Sequence, residues 1–156
     1  MTIMARFRFR LETVLKQRQV VEDECQRELA KVMRFKMILM DQLKQMQQTI
    51  SQSKRDLAGG LVGRVDLDRV GQFARYAGQS VVRAQEIVQR LAVLERQVAA
   101  ARQKLLQATA ARKAMELLRD RHRQEWIHQE NRRETAEIDD LAGRAYLRQL
   151  AVGVEN

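Results

Sequence analysis

The apolar positions of this chain fall into two long series. Leu11, Leu15, Arg18, Glu22, Cys25, Leu29, Val32, Lys36, Leu39, Leu43, Met46, Ile50, Ser53 and Leu57 are spaced alternately four and three residues apart, and ten of these 14 are apolar. Val70, Phe73, Ala77, Ser80, Ala84, Ile87, Leu91, Leu94, Val98, Ala101, Leu105 and Ala108 keep the same rhythm, with eleven of 12 apolar. Steps of three and four return the side chain to one stripe of an α-helix, which is the seam of a coiled coil. Arg18, Glu22, Lys36 and Ser53 interrupt the first seam and are candidates to fix its register.

Between the seams lies Ala58-Gly59-Gly60-Leu61-Val62-Gly63-Arg64-Val65-Asp66, with three glycines in five residues. Glycine on this scale punctuates a helix, and Asp66 suits the N-cap of the next one. The pattern predicts an all-α fold, a long two-helix antiparallel coiled-coil hairpin with a longer C-terminal helix. It forms a single elongated domain over 1–156, with a helix over about 6–57, a hinge at 58–66 and a helix over about 67–150.

Continued in the same register, the second seam reads Arg112, Met115, Arg119, His122, Trp126, Gln129 and Arg133, and so turns polar. Folding the chain about residue 62 brings Leu57 level with Leu67, Leu11 with Lys113 and Arg6 with Leu118. Beyond about residue 118 the second helix then has no partner in its own chain. At about 1.5 Å per residue the paired part is roughly 75 Å long and the overhang up to roughly 45 Å. Glu116–Arg119, Asp120–Arg123, Arg121–Glu125, Glu130–Arg133 and Arg133–Glu137 have the spacing of opposite-charge pairs on one helix face, each contributing about 0.2–0.5 kcal/mol. Gly143 and Gly153 mark the expected end, and Val152 to Asn156 is expected to be disordered.

Composition supports long helices. There is no proline, the residue that breaks helix interiors. Aromatic residues make up only 4%, fewer than a compact core uses. A lone cysteine, Cys25, allows no internal disulfide and fits a reducing cytosol. No secretory leader is expected at the start, because Arg6, Arg8 and Arg10 interrupt it. No stretch has the apolar length of a membrane span. Net charge is +9. The excess falls on residues 1–111, since residues 112–156 carry nine charges of each sign. The arginines interleave with Glu, Asp and Gln, which reads as a solvated face rather than a nucleic-acid surface.

The chain offers little chemistry. Cys25 falls on the seam and reads as a small buried hydrophobe. Glu125-Trp126-Ile127-His128 has the Glu-x-x-His spacing of di-iron bundles, but no second such motif accompanies it. His122 and His128 do not share a helix face. No phosphate loop and no nucleophile motif is present. The expectation is no enzyme, no catalytic residue, no metal, no cofactor and no small-molecule ligand. Trp126 and Ile127 are either an exposed contact or the cover for the N-terminal phenylalanines.

Three features occur in order. The first is Phe7-Arg8-Phe9-Arg10-Leu11-Glu12-Thr13-Val14-Leu15-Lys16-Gln17-Arg18, the second a glycine hinge near residue 60. The third is Asn131-Arg132-Arg133-Glu134-Thr135-Ala136-Glu137-Ile138-Asp139-Asp140-Leu141-Ala142. Over nearly the whole chain this resembles the flagellar export protein FliJ family, with Asp140 where the family has Glu and Ile138 where it has Leu or Met. The resemblance implies a stalk of the flagellar type III export apparatus, similar to the gamma subunit of rotary ATPases. Such a stalk binds the hexameric flagellar export ATPase and the export gate membrane protein, and handles export chaperones. Its implied place is cytoplasmic, peripheral at the inner face of the cell membrane. Candidate ATPase-binding residues are Arg6, Phe7, Arg8, Phe9 and Trp126; candidate export-gate-binding residues are Phe73 and Tyr76. On this reading Phe7 and Phe9 pack near Met115 and Leu118, and Arg6, Arg8 and Arg10 point outward. In a helix Phe7 and Phe9 lie about 200° apart and cannot both face one partner, so one touches the ring or the stretch is a non-helical lead-in. The competing readings are a generic coiled-coil adaptor or basic nucleic-acid-binding arm, and the equivalent stalk of a virulence-type secretion system.

Overall fold

The computed structural model describes residues 6–153. Two α-helices, α1 (Glu12–Gly60) and α2 (Leu67–Gly153), account for nearly all of them. Among the described residues there is no strand. The fold is an all-α helical hairpin, and it divides into two compact units. One is Val21–Thr109; the other joins the residues up to Val20 with those from Ala110 onward.

In the unit Val21–Thr109 the seams form the contact face. From Glu22 to Leu57, every seam residue of α1 is buried or half-buried, and every residue between them is exposed. All 12 seam residues of α2 are likewise removed from solvent. Two contacts pin the helices antiparallel. Thr109 Oγ1 donates to Glu22 Oε1 at 2.9 Å, and Lys36 Nζ meets Glu95 Oε1 at 3.2 Å. Glu22 and Lys36, two of the polar interruptions of the seam, thus make cross-helix bonds. A two-helix layer has little interior, so most seam residues are half-buried and only a few, such as Val32 and Val98, are buried.

The register itself departs from the sequence expectation. Folding about residue 62 places Glu22 level with Arg102 and Lys36 level with Val88. The observed partners, Thr109 and Glu95, lie seven residues later. A slide of one heptad keeps every seam position matched, so the apolar pattern alone does not distinguish the two registers. The turn and the polar contacts select one of them.

The turn is also shorter than the expected hinge. Gly59 and Gly60 stay helical, and the Leu61 N–H closes the last turn on the carbonyl of Ala58 at 3.3 Å. Only Gly63 takes a left-handed backbone, with φ of 105°. Asp66 is the N-cap: its Oδ1 accepts from the N–H of Asp68 at 3.0 Å and of Arg69 at 3.4 Å. This assigns opposite effects to two similar substitutions. Gly59→Ala has open space at Cβ and should stabilise by about 0.5–1 kcal/mol. Gly63→Ala must hold an L-residue at positive φ and should destabilise by about 1 kcal/mol. Thermal melts of the two variants by circular dichroism check the sign of each.

Candidate functional site

The second unit contains the N-terminal lead-in and the C-terminal part of α2. Residues 6–9 are not helical, and α1 begins at Glu12 rather than near residue 6. The Glu12 N–H donates to the Phe9 carbonyl at 3.2 Å, so a turn at 9–12 leads into the helix. Before that turn the burial alternates. Arg6, Arg8 and Arg10 are exposed, Phe7 is half-buried and Phe9 is 9% exposed. Alternate residues of a non-helical chain share a side, which removes the conflict a helix would create between the two phenylalanines. The period-two pattern of the sequence is therefore the local structure.

Both rings meet α2. The Phe7 and Trp126 ring centroids are 5.9 Å apart at 52°. Phe9 and His122 lie edge to face, 5.7 Å apart at 63°. Such tilted aromatic pairs contribute about 0.5–1.5 kcal/mol beyond the area they bury. The expected neighbours, Met115 and Leu118, are one to two turns too early, and the cause is the same one-heptad slide. Trp126 is half-buried beneath Phe7, so of the two readings offered for it the structure supports the cover. His122 was missed as a member of the cluster, because its place on the continued seam mattered only once the register was known. His122 and His128 are both exposed, and among the described residues no three His, Cys, Asp or Glu side chains lie together as a metal site.

Past Glu130, α2 is bare. Every residue from 131 to 153 is exposed. The helix continues through Gly143 to Gly153, so Gly143 does not end it; residues 154–156 of the expected disordered tail lie outside the described residues. Helical ion pairs line it: Arg133–Glu130 at 3.2 Å and Arg144–Asp140 at 2.9 Å, with Arg112–Glu116 at 2.8 Å further back. The arginines of the lead-in thus sit beside an aromatic pair on a helix that carries on alone.

The other two named candidates belong to the unit Val21–Thr109. Phe73 is half-buried on the seam; Tyr76 is off it and 39% exposed. Both line an open groove of about 460 Å³ at the turn, together with Asp56, Leu57, Arg64 and Arg69. Nothing in the spacing of the sequence announces this groove, since the turn residues Leu61, Arg64 and Asp66 line it together with residues of both helices. Among the described residues no helix is long and apolar enough to cross a membrane.

A family model described as Flagellar FliJ protein matches residues 7–151. No curated protein and no solved structure matches the chain. The matched segment begins at Phe7, spans both helices, and ends within the bare part of α2. With nearly its whole length matched, the chain belongs to the flagellar FliJ family, a component of flagellar type III protein export.

Proposed function

We propose that the chain is the non-enzymatic stalk that couples the hexameric export ATPase to the rest of the flagellar export apparatus. The ATPase ring is engaged by the lead-in, through Arg6, Arg8 and Arg10, with Phe7, Phe9 and Trp126 holding it in place. The bare helix beyond Glu130 enters with it. The export gate membrane protein meets the groove at the turn, where Tyr76 offers an accessible ring and Phe73 the wall behind it. Export chaperones are further protein partners. The protein acts in the cytoplasm, peripheral at the inner face of the cell membrane, without cofactor, small-molecule ligand or nucleic acid.

One observation carries this reading. Phe7 and Phe9 spend their apolar surface on the protein's own helix, which leaves the three arginines outward on a fixed backbone. A preset cationic edge with no buried partner suits an acidic protein surface, and its pre-organisation lowers the ordering cost of binding. The test is ATP hydrolysis by the cognate export ATPase, with and without the full chain, alongside co-sedimentation of the pair. Stimulated hydrolysis with co-sedimentation supports the stalk. A well-folded chain that neither binds nor stimulates overturns it.

A further inference from the structure

The bare part of α2 carries an apolar stripe that the hairpin does not use. Ile138, Leu141, Ala145 and Val152 recur at steps of three, four and seven, and all are exposed, Ile138 at 65% and Leu141 at 64%. The stripe is not the old seam prolonged. Continued in register, that seam runs through Ala136, Asp140, Gly143 and Leu147, about 200° around the helix from Ile138. A second heptad series has started on the far side. Assigning Ile138 and Ala145 to position a and Leu141 to d puts Glu134 and Arg148 also at d, with Glu137 and Arg144 at the flanking g positions.

Charge selects the occupant. In a parallel pair of such helices, Glu134 would face Glu134 of the second copy, and Arg148 would face Arg148. In an antiparallel pair centred between Ile138 and Leu141, each Ile138 lies against Leu141 of the other copy. Glu134 then lies level with Ala145 and Arg148 level with Asn131. Flanking g positions face each other in this arrangement, so Glu137 of either copy meets Arg144 of the other. The two-fold axis makes that pair occur twice. The stripe is thus self-complementary in one orientation and self-repelling in the other.

We propose that the free chain self-associates through this face, as an antiparallel two-fold pair of the α2 segments around Ile138 and Leu141. This goes beyond the stalk reading and does not depend on it, because the surface is complementary to itself. If the same helix enters the ATPase ring, the ring competes with the second copy, and the pair is the resting state of the unassembled protein.

The test is sedimentation equilibrium of the full chain under reducing conditions, up to millimolar concentration and without ATPase. A monomer–dimer equilibrium is expected. Ile138→Asp with Leu141→Asp should raise the dimer dissociation constant by more than about tenfold. Glu137→Arg alone and Arg144→Glu alone should each raise it about fivefold at low salt. The two reversals together should restore it, because they exchange the ends of one pair. Arg144 also bridges Asp140 within the helix at 2.9 Å, so circular dichroism of each variant separates lost helix from lost pairing. A chain monomeric at every concentration overturns the proposal, as does a dimer indifferent to Ile138→Asp with Leu141→Asp. Single reversals that weaken the dimer without mutual rescue overturn the antiparallel arrangement. Apolar variants that lose ATPase binding in a chain monomeric throughout assign the face to the ring instead.

Discussion

Phe7→Ala combined with Phe9→Ala is expected to weaken binding to the export ATPase ring by about tenfold or more, while helix content by circular dichroism stays close to that of the parent chain. The two effects separate because the phenylalanines precede the first helical residue, Glu12. Their loss removes no intrahelical hydrogen bond. What it removes is the anchoring on Trp126 and His122. Without those contacts the lead-in is free, and ordering each of its residues on a partner costs about 1–2 kcal/mol in backbone entropy. Trp126→Ala should reproduce part of the loss from the other side of the contact. Arg6→Ala, Arg8→Ala and Arg10→Ala together should act differently. They leave the anchoring intact and flatten the salt dependence of binding, since exposed charges act through a screened field. Isothermal titration of parent and variants against the ATPase, at two salt concentrations, reads all of this. Binding and helicity falling in proportion would show that Phe7 and Phe9 serve only the fold.

The two seams were legible because each seam position carries its own evidence. Leu29, Val32, Leu39 and Leu43 each repeat the signal, and the contact face follows them residue by residue. Asp66 was legible for a similar reason, since an Asp before a helical pattern has one favoured use. The register was not legible. Seam meets seam equally well after a slide of seven residues, and the difference rests on polar contacts such as those of Glu22 and Lys36 and on the path of residues 61–66. That one displacement carried Phe9 from the level of Met115 to His122 and turned Trp126 into a cover for Phe7. The start of α1 was misjudged because a helical seam runs up to Leu11 while a period-two pattern runs to Arg10. The second pattern governs the backbone there, because it alone lets Phe7 and Phe9 share a side. The glycines show the converse limit. Gly59, Gly60 and Gly63 look alike in the sequence, yet only Gly63 uses the conformation that glycine permits.

Leu15→Ala should be the most costly single truncation in the chain, at about 2–4 kcal/mol. Leu15 is 1% exposed, and no other large side chain among the described residues is so fully enclosed. Most seam residues of a two-helix layer keep one edge in water, so truncating them removes part of a side chain's contacts. Leu15 has no such edge, and its truncation adds a cavity term to the lost burial. The place in the fold adds to this. Leu15 lies one turn past Leu11, whose carbonyl accepts the Leu15 N–H at 2.9 Å. Its enclosed side chain holds the start of α1, beside the turn at Phe9–Glu12. Leu11 supplies the control. It belongs to the same seam and the same residue type but is 38% exposed, so Leu11→Ala should cost less than about 1 kcal/mol. Urea denaturation compares the totals, and hydrogen exchange over the first turns of α1 locates the loss. If Leu15→Ala costs no more than Leu11→Ala, the enclosure of Leu15 is not what holds the lead-in to α2, and the aromatic pairs alone must hold it.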